Sequence, residues 1–370
     1  MQMLLRTVAA LVVAATLAPL ALAGDDKPVA PPRYRVQALG VLAGDRYSEA
    51  TAISEDGTVV GWSAHGDDYD GPRQAFIYRN GRMQALGSLG GGYTEALGVN
   101  GRGDVIGQSR DAQGRLRPFL WQDGRMQDLA ASLGAGEGRA LGLNAAGQVV
   151  GEFDRRPFLH DASGSRFLDI GSPQGLATAI NDHGVVTGGT TWGQDYTFLY
   201  QDGRTTLLPS PEPYEWADYY GQDINNAGQV LVNRPWTADH IAGAYVYTDG
   251  KYQSTYFGNS GAWDMNDRGW VVGSASTFDP EWGDYTWEPA LYRDGGSYTL
   301  SDLLRPADAA RWELGEARGI NDVGVIVGSG WFNGRYQAYI ATPVPEPASA
   351  ALLLSGLGVV GAAARRRRAG

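Results

Sequence analysis

The sequence predicts an all-β chain, a seven-bladed β-propeller of four-stranded blades, and three observations carry that expectation. A nine-residue turn phrase recurs seven times, a second strand phrase follows every copy, and a lone strand near the N-terminus matches the one strand missing from the last repeat. A β-solenoid built from the same repeats is the structural alternative.

The turn phrase begins at Ala52 (AISEDGTVVG), Gly98 (GVNGRGDVIG), Gly142 (GLNAAGQVVG), Ala179 (AINDHGVVTG), Asp223 (DINNAGQVLV), Asp264 (DMNDRGWVVG) and Gly319 (GINDVGVIVG). Successive copies lie 37 to 55 residues apart, the range of propeller blades. In each copy an apolar residue precedes Asn (Ser54 in the first), and a Gly three places later takes the left-handed conformation of a tight turn. A β-branched run then returns as a strand. The Asn side chain is expected to hydrogen-bond turn backbone.

A third strand follows each copy: QAFIY from Gln74, RPFLW from Arg117, RPFLH from Arg156, YTFLY from Tyr196, GAYVY from Gly243, EPALY from Glu288 and QAYIA from Gln337. After the first six comes a turn, such as Asn80-Gly81 or Asp202-Gly203, and a fourth strand such as RMQALG from Arg82. The seventh unit has no fourth strand. The segment 34–40, YRVQALG, resembles that strand and lacks the three before it. Pairing the two closes the ring and removes its open edges.

Outside the repeats, residues 1–23 read as a signal peptide, with Arg6, an apolar run from Val8 and the small-x-small site Ala21-Leu22-Ala23. That implies export through Sec-type machinery. Residues 24–33 form a linker, 34–342 the propeller, and 343–347 a stalk holding Val344, Pro345, Glu346 and Pro347. An apolar stretch at 348–364 is long enough for a short transmembrane helix, and the cluster Arg365, Arg366, Arg367 and Arg368 in 365–370 is its cytoplasmic tail.

No cysteine is present, which excludes disulfides and thiolate metal sites. With 30 Lys+Arg against 41 Asp+Glu the net charge is −11, and because the two end segments hold five of the cations and one acid, the mature protein falls near −15. Such a surface repels nucleic acid.

The order VPEP, apolar helix and Arg cluster at the C-terminus resembles the PEP-CTERM sorting signal. The resemblance implies an exosortase, a membrane protease of Gram-negative bacteria that make extracellular polysaccharide, as the processing partner. It makes the tail a sorting address, leading from a transient membrane stage to the cell surface or extracellular matrix. The Asn-x-x-Gly-x-Val-Val-Gly turns, LGSLGG at 86–91 and Gln74-Ala75-Phe76 are similar to bacterial extracellular HAF repeats, and that resemblance implies an exported repeat protein with no assigned catalytic residue.

Strand order sorts the loops onto two faces. Turns one-to-two and three-to-four make a tight, uniform face, and the variable connections make the other, where binding residues are expected. That face carries Trp192, Trp216, Tyr219, Tyr220, Trp236, Trp282, Trp287, Trp312 and Trp331 as candidate stacking residues for an extracellular polysaccharide, or anchors for a matrix protein. Asp67, Asp68 and Asp70 form a candidate Ca²⁺ loop of oxygen ligands. Pairs drawn from Glu215, Asp218, Glu281 and Asp284 would be the acids and bases of a glycan-cleaving enzyme, whether hydrolase or lyase. His65, His160, His183 and His240 show no zinc spacing, and no nucleophile elbow or phosphate loop is present. The sequence therefore points to a binding or structural module, with catalysis as the rival and a protein-docking scaffold third.

Overall fold

The computed structural model describes residues 31–66, 71–191, 196–211, 219–234, 243–258, 261–279 and 284–344. Seven antiparallel four-stranded blades follow in chain order over 47–85, 90–128, 138–167, 175–207, 220–254, 262–299 and 312–344. Blades 1 and 2 are further joined by one parallel pair, Arg73 with Tyr93. The last blade has three strands of its own, and its fourth is Arg33–Gly40, paired to Arg335–Val344. The expected closure is therefore present.

That closing pair runs further than the sequence suggests. Arg33 and Tyr34 face Val344 and Pro343, so the last strand enters the stalk expected at 343–347. Buried Ser48 fastens the closed blade to blade 1, donating to the Gly40 carbonyl at 2.6 Å and accepting from the Ala338 amide at 2.9 Å. The long interval before blade 7 holds a 3₁₀ turn, Ser301–Leu303, and a short helix, Pro306–Ala309, neither of which the repeat pattern signals.

Every first strand carries a register shift just before its turn, for example between Ala50 and Ala52, Ala140 and Gly142, or Ala262 and Asp264. This bulge explains the glycine that ends most copies of the turn phrase. A Cβ on Gly61, Gly107, Gly188 or Gly328 would lie 1.9 to 2.0 Å from a first-strand carbonyl oxygen. The third-strand aromatic then covers the gap: Phe76, Phe119, Phe158 and Phe198 sit opposite Gly61, Gly107, Gly151 and Gly188, fully buried. Blade 5 reverses the arrangement, with Gly221 on the first strand and Val232 on the second, so the pair keeps one side without a side chain.

Each blade sheet packs its buried residues against the next. Val60, Ile77 and Phe119, for example, share one cluster across blades 1 and 2. The core is thus a ring of inter-blade layers.

Candidate functional site

The turn asparagines do more than brace their own loops. Asn100, Asn144, Asn181, Asn225, Asn266 and Asn321 are buried, and their Oδ1 atoms accept amides two or four residues on, as Asn181 does from His183 and Val185. Each Nδ2 also donates to the carbonyl of the corresponding residue in the next blade, at 3.0 to 3.1 Å from Asn100 through Asn266 and 3.4 Å from Asn321 to Ser54. Ser54 is too short to continue the chain. Spacing alone indicated the turn role; the clasp between blades could have been suspected only from the persistence of Asn where Asp or Ser would also cap the turn.

These turns enclose an axial cavity of about 250 Å³ on the tight face, lined by residues from all seven blades. Around it Asp182, Asn226, Asp267, Asp322 and Glu55 each accept the backbone amide of the preceding blade's equivalent residue, at 2.7 to 3.1 Å. Asp223 and Asp264 also line it. Asp223 receives the Ile224 and Met265 amides, while Asp264 receives those of Met265 and Ile320. Burial first, then the neighbouring carboxyl, holds Asp264 well above the usual carboxylate range. With all of their oxygens on backbone amides, they act as staples between blades 5, 6 and 7.

A second cluster lies on the inner strands, five residues before the turn Asn or its Ser54 equivalent, toward the variable face. Three successive blades carry Glu there: Glu316 in blade 7, Glu49 in blade 1 and Glu95 in blade 2. Tyr93 Oη and Gln108 Nε2 donate to Glu95 Oε2 at 2.9 and 2.7 Å, and Arg73 stands 3.8 Å from its Oε1. Arg318 Nε donates to Glu316 Oε2 at 2.6 Å. The guanidiniums stack in turn, Arg73 4.2 Å from the Trp62 ring and 4.9 Å from Tyr93, and Arg318 4.1 Å from Trp263.

Glu49, between them, accepts no hydrogen bond from a described residue. Burial, then the charges of Glu316 and Glu95, outweighs Arg318 and Arg73 and raises its carboxyl to about 7. Tyr336, bonded to Ser329 at 2.9 Å, lies in the same field of Glu49, Glu316 and Arg318, and its ring is 5.5 Å from that of Trp331. The sequence signal for this cluster was the recurring Glu-Ala of Glu49-Ala50, Glu95-Ala96 and Glu316-Ala317, overlooked because it precedes the turn phrase.

The expected aromatic site is only partly assembled. Trp331 and Trp287 are exposed, at 45% and 55%, and Trp287 lies 6.3 Å from Tyr285. Tyr220 is half-buried on the inner strand of blade 5, at the position Glu49 holds in blade 1, with Asn233 Nδ2 3.5 Å from its hydroxyl. Two candidates are corrected. Trp312 is buried at 7% against Phe332 and Tyr339, and Tyr219 at 3% beside Tyr245, because each side chain turns inward at the blade's edge and fills the core. Trp192, Trp216, Trp236, Trp282, Glu215, Asp218 and Glu281 lie outside the described residues, as do Asp67, Asp68 and Asp70, and of the Asp284 side chain nothing is described. Among the described residues no group of three or more His, Asp or Glu is arranged to hold a metal ion.

Fold and ends together define the class: a seven-bladed propeller closed by its own N-terminal strand. The profile of the PEP-CTERM protein-sorting motif matches residues 343–368, so the protein is exported, transiently membrane-anchored and sorted to the cell surface, with an exosortase as processing partner. The apolar stretch 348–364 lies outside the described residues, among which no helix is long and apolar enough to cross a membrane.

No curated protein sequence matches the chain. Among solved structures it is similar to the β-propeller domain of the trilobed protease from Pyrococcus furiosus, at 12% identity and TM-score 0.51, over 81% of this chain and 94% of that one. It is also similar to the extracellular domain of a putative hybrid two-component system from B. thetaiotaomicron, at 9% identity and TM-score 0.51, over 83% and 39% of the two chains. A puromycin-hydrolyzing peptidase of Mycobacterium tuberculosis matches at 13% identity and TM-score 0.50, over 82% and 53%. At these identities the likeness shows the fold alone. The Pyrococcus propeller is described as having an open Velcro topology, whereas here the end strands pair.

Proposed function

We propose that the protein is a binding module of the bacterial cell surface that holds extracellular polysaccharide on its variable face, and that its seven units are repeats of the HAF type. The observation that carries the reading is the pairing of exposed Trp331 with Tyr336, beside the hydrogen-bonding groups Glu49, Glu316 and Arg318. An aromatic face stacks on the apolar face of a sugar ring while carboxylates and guanidiniums bond its hydroxyls. Trp287 with Tyr285 offers a second stacking surface on blade 6. The excess of acids favours a neutral glycan over an anionic one.

Cosedimentation of the mature protein with exopolysaccharide purified from the producing bacterium tests this. Trp331→Ala is expected to weaken binding roughly tenfold, equivalent to about 1.4 kcal/mol, with the circular dichroism spectrum unchanged. Binding that Trp331→Ala and Trp287→Ala both leave intact would exclude these platforms.

A further inference from the structure

The Glu cluster has a charge arrangement that binding alone does not require. Two of its three carboxylates are matched to guanidiniums, Glu95 to Arg73 and Glu316 to Arg318, and both receive hydrogen-bond donors. Glu49 is the third, left over among the described residues with neither a guanidinium of its own nor a donor. Glu316 uses only Oε2 for Arg318, so its Oε1 has no donor among the described residues. A further buried group is unmatched: Gln108, 9% exposed, gives its Nε2 to Glu95, and its Oε1 is buried with no partner. Because the carboxylate demands a donor, the amide cannot be turned to relieve this, so the cluster lacks a hydroxyl or amine that would donate to it.

We infer that Glu49 and Glu316 are an acid and base pair that hydrolyses a glycosidic bond of the polysaccharide held on this face. The inference rests on the glycan-binding reading above. The Glu49 carboxyl gives its proton to the glycosidic oxygen as the bond from that oxygen to the anomeric carbon breaks. A water molecule forms the new bond to that carbon and loses its proton to Glu316 Oε1. The proton passes back through solvent, so the pair is restored and one water is consumed per bond. Arg318 holds Glu316 in place through its hydrogen bond to Oε2, and a substrate hydroxyl would supply the donor that Gln108 Oε1 lacks. With Glu49 raised to about 7, its carboxyl holds a proton to give near neutral pH.

The test incubates the mature protein with the same purified exopolysaccharide and measures bound protein and released reducing ends in parallel. Release per bound protein is expected to fall about 10²- to 10⁴-fold in Glu49→Gln and in Glu316→Gln, the bound fraction of each variant being measured in the same incubation. The rate should fall as pH rises through about 7, as Glu49, facing Glu316, Glu95, Arg73, Arg318 and Tyr336, loses its proton. Binding without release, or release that survives Glu49→Gln, overturns the hydrolytic pair and leaves the binding module standing. If the polysaccharide is neither bound nor cut, both readings fall.

Discussion

Asp264 illustrates what one residue does when a repeat departs from its pattern. Its equivalents in five blades are Ala52, Gly98, Gly142, Ala179 and Gly319, small because the neighbouring backbone passes close: a Cβ on Gly142 would lie 2.7 Å from the Ala179 Cα. Asp223 and Asp264 replace that contact with hydrogen bonds to the next blade's amides. Their carboxyls are held above the ordinary range, so the pair stabilises the fold fully below the unfolded pKa, and the contribution is lost as pH rises through the folded one. Asp264→Asn gives up one of the two backbone amides that the Asp264 oxygens accept and has no proton to lose, so its pH dependence, not its absolute stability, is the readout. Its melting temperature should therefore decline less than wild type's as pH rises from the unfolded carboxyl value of about 4, each kcal/mol retained being worth roughly 2–4 °C. An unchanged pH dependence would show that the pair does not set it. The turn function of Asn was legible from the residues, whereas this pair was not, because nothing in DINN or DMND says that the Asp faces another Asp.

At the scale of a strand, the repeats were legible wherever local chemistry is strong. Turn glycines, β-branched return strands and fourth strands all form as the phrases predict. The inner bulge was hidden, since an extra residue in one strand changes pairing without changing composition. Its consequence is testable at Gly188, whose Cβ would lie 2.0 Å from the Leu176 carbonyl oxygen. Gly188→Ala should destabilise by about 1–3 kcal/mol, measured by chemical denaturation. A smaller loss would mean that the first strand gives way easily. The bulge also bears on the site, because it re-aims the inner strand beside Glu49, Glu95 and Glu316. Acids in variable loops are legible from loop variability, whereas the half-buried acids of the inner strands are not, because a charged residue on a regular strand reads as an ordinary exposed position.

The molecule as a whole is held at one seam by two strands, Arg33–Gly40 and Arg335–Val344, from opposite ends of the described chain. Removing residues 33–40 leaves the edge of Arg335–Val344 unpaired, so the truncated protein should melt lower and associate through that edge, visible as earlier elution in size-exclusion chromatography. Adding the peptide RYRVQALG should restore the monomer; a truncated protein that stays monomeric without it would show that the closing strand is dispensable. The same seam carries a timing requirement. A chain threaded out of the cell from its N-terminus exposes six blades and a waiting strand first, and the partner of that strand emerges last. Pro343 and Val344 belong both to that partner and to the segment matched by the sorting motif. Completion of the ring and arrival of the address at the membrane are therefore one event in the life of the chain, and a molecule released before its tail emerges would leave the membrane with its ring unclosed.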